Sequence, residues 1–160
     1  TKMAIHALEQ LGLNLNKEHE DLIVFVEIGR CMADAIQVVT KYRIGKKSLI
    51  VIDHGKYAAT FYKKSTGEGI RLTDEDIKNQ KTSENGEELV KRLSEIPNEE
   101  LFSTRKVKID LEKLNYKDKK FNKIVCPICN EVVKDNKYII RNGESICKSC
   151  AEESYYEFIN

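Results

Sequence analysis

Apolar and polar positions change period several times along the 160 residues. In "KMAIHALEQLGL", Met3, Ala4, Ala7, Leu8 and Leu11 recur at helical spacing and Gly12 is a natural stop, which predicts a helix close to the start. "DLIVFVEIG" is short, unbroken and β-branched, which predicts a central strand. "CMADAIQVVTKY" returns to helical spacing, with Met32, Ala35, Ile36 and Val39 facing a core. "SLIVID" predicts a second strand, "HGK" a turn, and alternating "YAATFYKK" a third strand; "STGEG" then turns into a short fourth strand, "IRL". The order helix, strand, helix, strand, strand, strand predicts an α+β domain: a mixed β-sheet with packed helices.

From Thr73 onward the chain is polar with a helical pattern. Thr73 is expected to cap one piece and Ser83 or Asn85 the next, and Pro97 to start a further short helix, "PNEELF". "STRKVKIDL" predicts an edge strand guarded by its lysines. "EKLNYKDKKFNK" has almost no apolar content and predicts a linker. These shifts divide the chain into a domain over 1–112, a charged linker over 113–123 and a cysteine module over 124–160, whose last residues, "AEESYYEFIN", are expected to be helical.

Composition narrows the setting. Hydrophobic residues make up 41% and charged residues 33%, enough to bury a core and too apolar for disorder. The net charge of +1 gives no global field to attract nucleic acid or an anionic membrane. No apolar run approaches the length of a membrane span and no signal peptide is visible, so the chain is expected to be soluble and cytoplasmic. Paired cysteines in that setting point to metal sooner than to disulfides. Because the chain opens inside a running helical pattern, a segment upstream of it is expected.

Four of the five cysteines form two Cys-x-x-Cys pairs, Cys126/Cys129 and Cys147/Cys150. Two intervening residues let a tight knuckle aim both sulfurs at one ion, and two knuckles give a tetrahedral four-thiolate site that suits zinc, with iron as the chemical rival. Two disulfides or four reduced core cysteines are the alternatives. A closed site of this kind holds a fold together and leaves no coordination position for a substrate. Between the pairs, "EVVKDNKYIIRNGESI" predicts a hairpin of Val132–Val133 with Tyr138–Ile140, with turns at Asp135-Asn136 and Asn142-Gly143.

Cys31 stands alone, at the join of strand and helix, with Asp34 on the same helical face. A helix N-terminus and the adjacent Arg30 would activate its thiol, but composition by itself favours a small buried hydrophobe. "DHGK", which holds Asp53, His54 and Lys56, ends a buried strand where ligands often bind; it also reads as a plain polar turn. His6 and His19 lack partners and are expected at the surface.

The residues from Cys31 to Leu72 resemble the FmdE family, the E-type proteins of formylmethanofuran dehydrogenase. The resemblance is carried by Cys31 with "DAIQ", by "IGKKSL", by "DHGK" and by "AATFY", and it continues through "PNEELFSTRKV" into the cysteine pairs. It implies an α+β domain followed by a zinc ribbon. The family's N-terminal Gly-His-x-Cys-Pro-Gly motif is absent from the chain, and "TKMAIHALEQLGL" looks like the helix that follows it. The resemblance implies that Cys31 is a ligand of a second divalent metal, with Asp34, Asp53, His54 and Lys56 around the pocket, and that His54 stands where an aromatic is usual. It also implies a non-catalytic accessory protein associated with a molybdenum or tungsten enzyme. A docking module for protein or nucleic acid is the alternative; its basic-aromatic approach would be Lys113, Tyr116, Lys117, Lys119, Lys120, Phe121 and Lys123. An enzyme using the Cys31 thiolate ranks last, since no histidine base with a partner is in view. A homodimer is expected, because small single-sheet domains often pair through apolar faces.

Overall fold

In a computed structural model, the structure describes residues 1–15, 19–79, 85–114, 123–152, 154–157 and 159. The chain divides into two compact units, Thr1–Ile109 and Asp110–Asn160.

The first unit is a five-stranded mixed sheet with helices packed on it. Its elements are α1 (Lys2–Gln10), β1 (Leu22–Val26), α2 (Cys31–Thr40), β2 (Leu49–Val51), β3 (Ala58–Lys63), β4 (Glu68–Asp74), α3 (Gly86–Glu95), α4 (Asn98–Leu101) and β5 (Phe102–Lys108). The strand order is β2-β1-β3-β4-β5, with β1 and β2 parallel across α2 and every other pair antiparallel. All five residues of β1 are buried, as an unbroken apolar run requires of a central strand. One row of residues crosses the sheet by register, Leu49–Val24–Phe61–Ile70–Lys106. Its first four members are core residues, packed with Met3, Ala4, Ala7 and Leu8 of α1 and with Ala33 and Ile36 of α2. The row turns polar only on reaching the edge strand.

Helix ends follow their local chemistry. Past α1, Gly12 adopts φ +65°, its N–H donates to Glu9, and the Leu13 N–H donates to Leu8. That pair of bonds closes a Schellman motif, for which a left-handed glycine is suited. The Asn85 side chain accepts from the N–H groups of Glu87 and Glu88 while Glu88 accepts from the Asn85 N–H, a full capping box on α3. Replacing Asn85 with alanine is expected to cost about 1 kcal/mol, read as a shift in the urea midpoint of the first unit. The Lys2 ammonium donates to the carbonyls of Leu93 and Ile96, at the negative end of α3.

Several expectations are corrected. Asp74, not Thr73, caps the turn after β4, accepting from the N–H groups of Asp76 and Ile77; Thr73 itself lies within the strand. The strand foreseen as "IRL" runs the full length of β4 because β3 and β5 both pair along it. On α2 the core face is rotated to include Ala33 and Thr40, and Thr40 can be buried because its hydroxyl donates back to the Ile36 carbonyl. His6 is buried, stacked on Phe102 and hydrogen-bonded to Gln10; it sits one position from Ala7 on the inner face of an amphipathic helix. Ser83 and most of the charged 113–123 segment lie outside the described residues.

Candidate metal centre

The second unit is built from two short hairpins, β6–β7 (Ile124–Val125 with Val132–Val133) and β8–β9 (Tyr138–Arg141 with Glu144–Cys147), and a short helix, α5 (Lys148–Ala151). Val132–Val133 therefore pairs with Ile124–Val125 and not with Tyr138–Ile140 as expected. Each hairpin serves one cysteine pair. In the first, Cys126 and Cys129 lie in the loop; the Cys126 N–H donates to Glu131, the Asn130 N–H donates to Cys126, and Asn130 takes the left-handed conformation that lets the chain reverse. In the second, Asn142-Gly143 is a two-residue turn with both φ positive, as the right-handed twist of a hairpin favours. The strand after it delivers Cys147, and one turn of α5 brings Cys150 back beside it. α5 ends at Ala151, and the described residues from Glu152 to Glu157 are not helical, contrary to expectation.

The four sulfurs lie within 4.8 Å of one another. Cys129 Sγ and Cys147 Sγ are 3.8 Å apart, and a tetrahedral four-thiolate site with metal–sulfur bonds of about 2.3 Å needs sulfurs about 3.8 Å apart. The donor set thus fits a metal ion, and all five cysteines are free of disulfides. Backbone amides are already turned on the sulfurs: the Cys147 N–H donates to Cys126 Sγ at 3.5 Å and the Cys150 N–H to Cys147 Sγ at 3.4 Å. The amides of Cys129 and Cys147 hold the Cys126 thiol down to about 6. Cys150 is pushed up to about 12, first by its hydrogen bond with the Cys147 sulfur and then by desolvation. At Cys129 the Glu131 amide lowers the pKa, but desolvation and the Cys126 sulfur outweigh it and the thiol is raised. Four sulfurs so close cannot all ionise by themselves. A dication reverses that balance, so loading expels protons and is favoured as pH rises.

Among the described residues, this is the group in which three or more metal-ligating side chains converge. Cys31 is exposed at the first turn of α2, so it is not the buried hydrophobe that one reading expected, and Asp34 is exposed on the same turn. Asp53 accepts from the Gly55 N–H and closes its own turn, with Gly55 at φ +67°. The backbone N–H groups of His54 and Lys56 both donate to the Glu27 carbonyl. The His54 ring lies 3.9 Å from the Glu27 carboxylate.

Glu27 and Arg71 are the residues that the sequence reading missed. The guanidinium grips the carboxylate with two parallel bonds, Nε to Oε1 at 2.6 Å and Nη2 to Oε2 at 2.8 Å, and its third arm reaches the Thr73 hydroxyl. The Arg71 hydrogen bond holds the Glu27 carboxyl below its usual range against the opposing cost of burial, helped by the charges of Arg71, His54 and Lys56. The signal was a lone charge at the end of one apolar strand and another inside "IRL": two charges that burial forces to find each other.

The model of the family described as "FmdE, Molybdenum formylmethanofuran dehydrogenase operon" matches residues 1–110. The chain belongs to the FmdE family. A crystal structure of a tungsten formylmethanofuran dehydrogenase FmdE-like protein from Syntrophus aciditrophicus is similar to it, with a TM-score of 0.63 and 26% identity over 98% of this chain and 82% of that one. The α+β fold with a mixed sheet and a C-terminal cysteine cluster is therefore an FmdE-like fold, as the residues had implied. A probable S-adenosyl-L-methionine-binding protein of Archaeoglobus fulgidus is 34% identical over 74 residues, which are 44% of this chain and 20% of that protein. The chain thus spans one fifth of the length of that curated relative. Among the described residues, no helix of this FmdE-family chain is long and apolar enough to cross a membrane.

Proposed function

We propose that this FmdE-family chain is a non-catalytic, metal-binding accessory protein whose ribbon holds one structural zinc ion. The observation that carries the reading is four thiols gathered at the sulfur spacing of a tetrahedral site, on a chain matched by the FmdE model. Zinc is preferred to iron because the site is closed and needs no redox change. Cys126, Cys129, Cys147 and Cys150 bind and orient the ion, and the two hairpins exclude water from the buried pair Cys126 and Cys147. A second divalent metal is assigned to Cys31, with Asp34, Asp53, His54 and Lys56 as its surroundings. Exposure of Cys31 supports this reading, because a ligand must be reachable. The working partner is a molybdenum or tungsten enzyme, the setting is cytoplasmic, and the chain acts as a homodimer.

Elemental mass spectrometry tests the metals. Wild type is expected to carry zinc in the ribbon, lost with Cys126→Ser, and a second metal lost with Cys31→Ser alone. If Cys31→Ser keeps every equivalent, the second site is wrong; if Cys126→Ser does, the whole reading fails. A docking role for the ribbon has one observation of its own: Val125, Ile128, Val132 and Ile140 are exposed aliphatic side chains. On that reading Val132→Lys would abolish capture of the partner enzyme while leaving metal content intact.

A further inference from the structure

The core face of the sheet does not end cleanly. One step beyond the row Val24–Phe61–Ile70, the register aligns Leu22, Lys63, Glu68 and Lys108, and Lys106 stands beside Ile70. By the alternation of a pleated strand, these charged residues share a face with Phe61, Ile70 and Leu72. Past the end of α1 that face opens into a cavity of about 460 Å³, with Leu11 and Ile70 as apolar lining and the three lysines and Glu68 around them. The size falls within the ~300–1,000 Å³ of small-molecule sites.

The charges do not cancel one another. Among the described residues, no ion pair joins Lys63, Lys106 or Lys108 to Glu68, although register places Lys63 and Lys108 on either side of it. Three ammonium groups and one carboxylate line the cavity; the Asp21 charge acts on Lys63 alone among the three lysines, so the lining stays net positive in a chain whose overall charge is only +1. Lysines that merely guard an edge strand need no concavity and no apolar lining. These converge on both.

We infer that this cavity binds a small organic anion, its apolar body against Leu11 and Ile70 and its anionic head among Lys63, Lys106 and Lys108. Glu68 opposes a second negative charge and favours a ligand that also carries a donor. All of its lining residues belong to the first unit.

Anilinonaphthalene sulfonate is a suitable probe, since it joins an aromatic body to one anionic head. Its fluorescence on titration with the full chain is expected to saturate at one equivalent and to weaken with added salt. The exposed double variant Lys106→Gln/Lys108→Gln should bind about tenfold more weakly, and Glu68→Gln more tightly. N-phenylnaphthylamine, the same body without the sulfonate, should bind at least about tenfold more weakly and ignore the lysine substitutions. Displacement by octanoate or by phenyl phosphate then separates a carboxylate ligand from a phosphate one. Equal affinity of the double variant and wild type for the sulfonate, or equal affinity of wild type for the two dyes, overturns the inference. Circular dichroism of the double variant confirms that it is folded.

Discussion

Removing the metal, by chelator or by Cys126→Ser, is expected to unfold residues 110–160 while the 1–109 unit stays folded. The apolar cluster of the ribbon consists of Ile146, Ala151, Val133 and Ile139 together with the cysteines themselves. That is too little apolar surface to offset the ordering of its backbone. A structural zinc ion of the kind proposed supplies small modules with about 10–16 kcal/mol of apparent binding energy, and in this ribbon it would act as folding energy. Without it, Cys126 and Cys147 would be buried sulfurs held only by backbone amides and neighbouring thiols. Amide hydrogen exchange read residue by residue is the measurement. Protection should vanish at Val133, Ile139 and Ile146 and persist at Val24 and Phe61. Protection that survives chelation in β8 and β9 would show that the cysteines are not what holds the unit. Acid should act like the chelator, because protons compete with the ion for sulfur.

The second large effect is expected at Glu27. Its side chain is 12% exposed and that of Arg71 28%, so the pair is largely, not wholly, shielded from water. Truncating one partner of a buried pair costs about 3–5 kcal/mol; partial exposure of Arg71 reduces this to about 2–3 kcal/mol for Glu27→Ala, read as a loss in denaturant stability. The two partners are not equivalent. Glu27→Ala leaves Arg71, Lys56 and His54 around a missing carboxylate, whereas Arg71→Ala leaves Glu27 with Lys56 and His54 still near it. Glu27→Ala should be the more damaging, and the double variant should cost less than the sum of the single ones. The sign with pH follows from a carboxyl depressed in the folded state. Its contribution is complete above the unfolded-state value and is lost as pH falls through the folded one. Wild type and Glu27→Gln should therefore converge in acid and separate towards neutral pH. A constant difference across that range would remove Glu27 from the account.

Most of the fold was legible because periodicity reports burial directly. "LIVFV" could only be a strand covered on both faces, and Gly12 with Leu13 could only close a helix one way. The cysteine spacing likewise carried its own geometry. What the sequence hid was pairing. Nothing local in "EVV" says that it hydrogen-bonds to "IV" before the first knuckle and not to "YIIR" after it. The Glu27–Arg71 pair, 44 residues apart, was hidden for the same reason. His6 failed differently: a histidine one position from Ala7 on the buried face was assigned to the surface by residue type, when its helix position already placed it inside.

The placement of β1 has a consequence in time. Lys63, which pairs with Leu22, follows it by roughly 40 residues, a delay of about 2–8 s at synthesis rates of ~5–20 residues per second. Until β2 is made "LIVFV" is a naked apolar strand, and until β3 follows one of its edges stays open, the kind of segment that neighbouring chains can seize. It is flanked by Asp21 and Glu27, one carboxylate at each end. While the strand waits, those charges act as gatekeepers and keep nascent chains apart. Once β3 and β4 arrive, Asp21 accepts from the Ser65 N–H and Glu27 is taken by Arg71. The two carboxylates that hold strangers off are the ones that clasp the strand's own neighbours.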